Sequence, residues 1–179
     1  MIYFSVLLLA RGNKNVGKCS QNYSLSSPCT QHPRCYSTCT FLQLNSGAQA
    51  TVHRVVHKSD GQEYAVKVIS RLNLTSTASG AVLYEVLLQS SLSCHPNVVS
   101  LTDFFEESDN YYLVMELMRG GDLFDRIAQR EKYTELEARR LCRDLLRAVG
   151  YCHKNGVAHC DLKPKNMMLT VSLCQAPLI

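Results

Sequence analysis

The strongest chemical signal in this 179-residue sequence is an octapeptide, His159-Cys160-Asp161-Leu162-Lys163-Pro164-Lys165-Asn166. It sets a carboxylate, an amine two residues on and an amide five residues on in one short loop. Phosphoryl transfer needs such a set: a base to orient a hydroxyl, a cation on the moving phosphoryl group, and an oxygen donor for Mg²⁺. The bland alternative is a polar turn that happens to hold one Asp. A second candidate lies upstream, in Tyr64-Ala65-Val66-Lys67-Val68-Ile69. A lone Lys on a strand usually faces water, but one inside an otherwise apolar strand must find a charged partner, because an unpaired buried ammonium is costly.

These residues need elements to hold them. Thr134 with Glu137 forms a capping box, and Ala138, Leu141, Cys142, Leu145, Val149 and Cys152 follow at helical spacing. A helix of about twenty residues, closed by Gly156, is therefore predicted just before the octapeptide. Upstream, Thr51 to His57 and Glu63 to Ile69 are rich in β-formers and flank Ser59-Asp60-Gly61, which predicts a hairpin. Arg71 to Gly80 reads as a loop, and Ala81 to Leu92 as a helix carrying Leu83, Val86, Leu87 and Leu92, ending before His95-Pro96-Asn97. Val98 to Phe105 and Tyr111 to Met115 suggest a second hairpin around Ser108-Asp109-Asn110. Gly120-Gly121 breaks the chain, and a short helix is expected from Asp122 to about Glu131. The order describes an α+β chain, a small sheet lobe followed by a helical lobe.

Composition narrows the function classes. The net charge is +4, hydrophobic residues make up 46%, and there are nine Cys and no Trp, a globular profile. Residues 1–40 contain Arg11, Lys14, Lys18 and Arg34 and no acid, whereas residues 41–179 hold 15 basic and 15 acidic residues. The excess charge belongs to the leader, so no nucleic-acid partner is expected. No run approaches the ~18–20 apolar residues of a membrane span. The apolar stretch Ile2 to Ala10 is interrupted by Ser5 and preceded by no Lys or Arg, so an unstructured tail is preferred over a targeting peptide. Cys19, Cys29, Cys35 and Cys39, with His32 among them, lack the close CxxC pairs of structural zinc sites. An odd, scattered set of cysteines suits a reducing compartment, and a cytoplasmic location is expected.

The octapeptide resembles the catalytic loop of the eukaryotic protein kinases, H-R-D-L-K-P-E-N in the Ser/Thr class, at six of eight letters. Ala65-Val66-Lys67 looks like the family's V-A-I-K lysine, and Glu85, the only acid between Glu63 and Asp103, is by resemblance its helix glutamate. His95-Pro96-Asn97-Val98-Val99 and Leu113-Val114-Met115-Glu116-Leu117-Met118 resemble the following strand and the hinge. Met118-Arg119-Gly120-Gly121-Asp122-Leu123-Phe124-Asp125-Arg126-Ile127 is similar to the calcium/calmodulin-dependent kinase group.

The resemblance implies a protein-kinase-like fold: a tail over 1–40, an N-lobe and hinge over 41–118, a partial C-lobe over 119–169 and a non-matching end over 170–179. It implies ATP and Mg²⁺ as cofactors and a protein Ser/Thr hydroxyl as acceptor. Leu44, Val52, Ala65 and Met168 would sandwich adenine, and Gly47 would approach phosphate in a loop that keeps one glycine of the family's three. Met115 would be the gatekeeper, Glu116 and Met118 would offer backbone hydrogen bonds, and Asp122 would reach a ribose hydroxyl. Lys67, oriented by Glu85, would hold the α/β-phosphates. Asp161 would orient the acceptor hydroxyl, Lys163 would neutralise the γ-phosphoryl, and Asn166 would bind Mg²⁺.

Three departures accompany the resemblance. Cys160 replaces an Arg that receives an activation-loop phosphate, and Lys165 replaces a Glu that reads a substrate Arg in basophilic relatives. Asp161 is the last acid of the sequence, so the family's D-F-G carboxylate is absent; a truncated form is expected, with a non-catalytic nucleotide- or protein-binding module as the alternative. The apolar face of residues 135–154 is expected to lack its usual cover and to need a partner.

Overall fold

The computed structural model describes residues 8–10, 36–46, 50–72, 74–130 and 132–170. Its elements are β1 (Leu8–Ala10), β2 (Tyr36–Ser46), β3 (Ala50–His57), β4 (Glu63–Ser70), α1 (Ser76–Leu92), β5 (Leu101–Glu106), β6 (Asn110–Glu116), α2 (Leu123–Gln129), α3 (Glu135–Lys154), a 3-10 turn (Pro164–Asn166) and β7 (Met167–Leu169). The chain divides into two compact units, and the division falls within α1, after Val86.

The sheet unit is an antiparallel five-stranded sheet in the order β2-β3-β4-β6-β5. The expected first hairpin is β3–β4, and Gly61 at φ 70 supplies the left-handed turn position. Strand alternation sorts β4 into two faces. Val66 lies with Val55 and Val114 in a buried cluster against which Tyr36, Tyr64, Val68, Phe105 and Tyr112 pack. Ala65, Lys67 and Ile69 belong to the opposite face, where Val52 stands across from Lys67 and Met115 across from Ala65.

The helical unit closes around α3. Its capping box is formed as expected: Thr134 accepts from the Glu137 amide, and Glu137 accepts from the Thr134 amide. At the other end Asn155 is the C-cap and Gly156 has φ 74. One face of α3 places Ala148 and Cys152 in a cluster with Leu92, Val98 and Val157. Leu141 and Leu145 pack against Leu123, Met167 and Leu169. Fully buried aliphatic side chains such as Leu92 and Val98 contribute ~1.5–3 kcal/mol each.

Four expectations change. α1 begins at Ser76, not at residue 81, because Thr75 Oγ1 accepts the Ala78 amide at 3.2 Å and caps the helix; Ser76, Thr77, Ser79 and Gly80 hide that start by their weak helix propensity. The second hairpin begins at Leu101, since Val98 and Val99 are buried in front of it. Two strands lie inside the stretch expected to be an unstructured tail: β1 pairs in parallel with β7, and β2 already starts at Tyr36, paired with His57. The α3 face is largely covered from within its own unit, so the wet part reduces to Leu136, Ala138, Cys142 and Leu146.

Among the described residues no helix is long and apolar enough to cross a membrane, and no group of three or more His, Cys, Asp or Glu is placed to hold a metal. Cys19, Cys29, His32 and Cys35 lie outside the described residues.

Candidate active site

In the sheet unit the predicted pair is formed. Lys67 extends from β4, Glu85 from α1, and Lys67 Nζ donates to Glu85 Oε1 at 3.0 Å. Both side chains are about three-quarters buried, at 26% and 21% exposure, so the pair is shielded more than a surface bridge. Val52, Ala65 and Met115 share the Lys67 face by register, and Ala65 and Met115 are buried. The sheet thus offers a cation beside a small apolar floor. Glu116 ends β6 opposite Tyr64. Leu44 lies on β2, and Gly47 is outside the described residues.

In the helical unit, the loop after α3 organises around Asp161. The buried His159 accepts the Asp161 amide through both its carbonyl oxygen, at 2.8 Å, and its Nδ1, at 3.2 Å. Cys160 takes φ 54, a left-handed conformation unusual for a residue with a side chain. Asn166 Nδ2 donates to the Asp161 carbonyl at 2.8 Å and to Oδ2 at 2.9 Å, and Lys163 Nζ bridges to the same Oδ2 at 2.7 Å. The Lys163 hydrogen bond, then that of Asn166, hold the Asp161 carboxyl below its usual range. All donors converge on one oxygen, so Oδ1 has no partner among the described residues and is open to accept from a hydroxyl. Asn166 likewise spends its nitrogen on Asp161, leaving its amide oxygen as a hard donor of the kind Mg²⁺ prefers.

Asp122 does something the sequence did not suggest. Its Oδ1 accepts the Asp125 amide at 2.8 Å, so it N-caps α2. It also bridges to Met168 in the backbone, which puts two of the expected nucleotide residues side by side; Met118 begins the last segment of the same unit. Lys165 stands over the ring of Phe124 at 4.9 Å.

Two supporting residues were missed. A Cβ on Gly120 would collide with the Leu169 carbonyl, and this close approach lets Gly120 donate to Leu169 while Leu169 donates to Gly121, each at 2.9 Å. His159 reads in the sequence only as a motif letter, yet it anchors the Asp161 amide. The first could be sought wherever a Gly pair precedes a helix; the second has no signal outside the motif.

Comparison with known proteins places this geometry. The family profile described as "Protein kinase domain" matches residues 40–174. The MAP kinase-interacting serine/threonine-protein kinase mnk-1 of Caenorhabditis elegans is 40% identical over 80% of this chain and 21% of its own length. The calcium/calmodulin-dependent protein kinase type II alpha chain of Drosophila melanogaster is 41% identical over 71% of this chain and 24% of its own. The chain therefore spans about a fifth to a quarter of these relatives. Among solved structures, the crystal structure of Rad53 1–466 in complex with AMP-PNP aligns with a TM-score of 0.65 at 35% identity, over 74% of this chain and 34% of that one. The α+β architecture is accordingly a partial protein-kinase-like fold, and the protein belongs to the eukaryotic Ser/Thr protein kinases, in their calcium/calmodulin-dependent kinase-like group.

Proposed function

We propose that the chain contributes the nucleotide-side sheet and the catalytic loop of a protein kinase that transfers the ATP γ-phosphoryl group to a protein Ser or Thr hydroxyl. The observation that carries this reading is the Asp161 carboxylate, held on one oxygen by Lys163 and Asn166 and open on the other. An acceptor hydroxyl would donate to Oδ1 and be turned toward the phosphoryl group, which is positioning more than strong proton abstraction, given the low proton affinity of Asp161. Lys163 is near enough to shift from Asp161 to a γ-phosphoryl oxygen as charge builds there. Lys67, steadied by Glu85, would hold the α/β-phosphates. Val52, Ala65, Met115 and Met168, with Leu44, would take adenine; Glu116 and Met118 would bond it through their backbones; Gly47 would approach phosphate, and Asp122 would offer its second oxygen to ribose.

Magnesium, when bound, would shield the phosphate charge, and Asn166 is the residue of this chain that fits it, through its amide oxygen. Its partner carboxylate is not within residues 1–179, where Asp161 is the last acid. The thiols of Cys142, Cys152 and Cys160 support a cytoplasmic setting.

Radiolabelled ATP offered with a mixed Ser/Thr peptide substrate tests the proposal. Transfer that Asp161→Asn abolishes supports it. ATP binding that depends on Lys67 without any transfer would replace it by the non-catalytic module.

A further inference from the structure

The sheet unit carries a feature that phosphoryl transfer does not use. Alternation along the strands puts His53 and Val55 of β3, Val66 and Val68 of β4 and Val114 of β6 on the face away from Lys67. There they border a cavity of about 120 Å³ that is open on one side. Its floor is aliphatic: Val55, Val66 and Val114 are buried and pack as one cluster. Its walls are aromatic. Phe105 and Tyr112 stand on β5 and β6, and Tyr36 leans in from β2.

Tyr36 turns the sheet face into a shaped pocket. Its backbone pairs with His57 on β3, yet its hydroxyl donates to Asp103 on β5, so the side chain reaches across the face over β4 and β6. Its ring meets those of Tyr64 and Phe105 edge-on, at 5.8 Å and 6.1 Å between centres. The polar atoms around the cavity are already engaged. Asn110 Nδ2 donates to the Tyr112 hydroxyl at 3.4 Å, and His53 Nε2 lies 3.0 Å from Thr51 Oγ1. Among the described residues no Lys, Arg, Asp or Glu lines the cavity. Water inside would find too few partners, whereas an apolar protein cavity of about 150 Å³ stays dry and takes up benzene.

We propose that this pocket binds an uncharged small molecule with a single aromatic ring, of toluene size, packed edge-to-face against Tyr36, Phe105 and Tyr112 and resting on the valine floor. The site lies on the other face of the sheet from Lys67 and needs neither ATP nor Asp161.

The test is an NMR titration of the full chain, labelled at its Val, Ala and Met methyl groups, with toluene. Saturable shifts are expected at Val55, Val66, Val68 and Val114 and not at Val52, Ala65 or Met115, which share the opposite face. Methylcyclohexane should bind about two- to tenfold more weakly, because it has no ring quadrupole to offer the aromatic walls. Benzoate should bind at least about tenfold more weakly, since its charge would lose water without gaining a partner. Val68→Phe should fill the cavity and weaken toluene binding at least about tenfold. Val68→Met gives a second, milder filling, and thermal melting verifies that each variant is folded. Unchanged toluene binding in both folded variants would overturn the proposal, as would shifts centred on Val52, Ala65 and Met115 or equal affinity for toluene and methylcyclohexane. Tighter binding of acetyl-phenylalanine amide than of toluene would assign the pocket to a side chain of a partner protein and overturn it as well.

Discussion

Asn166 grips Asp161 twice, through the carbonyl oxygen at 2.8 Å and through Oδ2 at 2.9 Å. The amide therefore does two jobs with its two ends: the nitrogen fixes the carboxylate, and the oxygen is left to a cation. In Asn166→Ala the Asp161 carboxyl should move back toward its ordinary value, because one of its two main hydrogen bonds is gone. This change and Asp161→Asn should each lower phosphate transfer by about 10²–10⁴-fold. Affinity for ATP should change little in Asp161→Asn. Titration of the Asp161 carboxyl by NMR distinguishes the two effects in Asn166→Ala.

The Lys67–Glu85 pair joins β4 to α1 within the sheet unit. Its partial burial places it above a surface bridge, and its residual exposure keeps it from being a fully desolvated pair. A double-mutant cycle with Lys67→Met and Glu85→Gln is expected to give a coupling of about 1 kcal/mol in unfolding free energy. The coupling should shrink in 1 M salt. Additive single effects would show that the contact contributes nothing of its own.

Glu137 ties acid stability to the capping box of α3. Its pKa falls from 4.5 to about 2 through the Thr134 amide first, then Arg130 and the Thr134 hydroxyl. A carboxyl with a depressed folded-state value stabilises the fold above its unfolded value and loses that contribution as pH drops through the folded one. Stability should therefore decline between about pH 4.5 and pH 2. Glu137→Gln should remove this slope and cost less than about 1 kcal/mol at neutral pH, because Gln keeps the capping-box hydrogen bond and gives up only the charge that Arg130 pairs with. Denaturant unfolding at several pH values measures both.

Glycine positions give a prediction with opposite signs. At Gly120 a methyl group would strike the Leu169 backbone and displace the paired hydrogen bonds to β7, so Gly120→Ala should destabilise by ~1–3 kcal/mol. At Gly80, within α1, the same methyl meets nothing within 4 Å, and Gly80→Ala should stabilise by ~0.5–1 kcal/mol. Melting temperatures of the two variants, compared side by side, decide it.

What the sequence made legible follows from distance along the chain. The Thr134–Glu137 box, the octapeptide loop and the Lys67 strand are encoded by residues within a few positions of each other. They stand in the structure as read. The start of α1 was hidden because one capping hydroxyl outweighs four weak helix formers. The β1–β7 pairing and the Gly120–Leu169 contact join residues far apart in sequence, and no local pattern announces either. The wetness of α3 was overestimated for the same reason: Leu92 and Val98, which cover Ala148 and Cys152, come from a stretch read as a helix end and a strand start.

That correction leads to the last prediction. Of the large apolar side chains on α3, Leu136 and Leu146 stay most exposed, at 55% and 69%. A single exposed leucine is ordinary, but Leu146 follows the exposed Cys142 by one helical turn, so the two form a short apolar strip. Leu146→Lys removes the strip and gives up little burial. The expected result is a higher soluble fraction and a smaller share of aggregate in light scattering. The unfolding free energy should stay within about 0.5 kcal/mol of the parent. A loss beyond ~2 kcal/mol would instead mean that Leu146 is covered in solution, as burial of a leucine contributes that much.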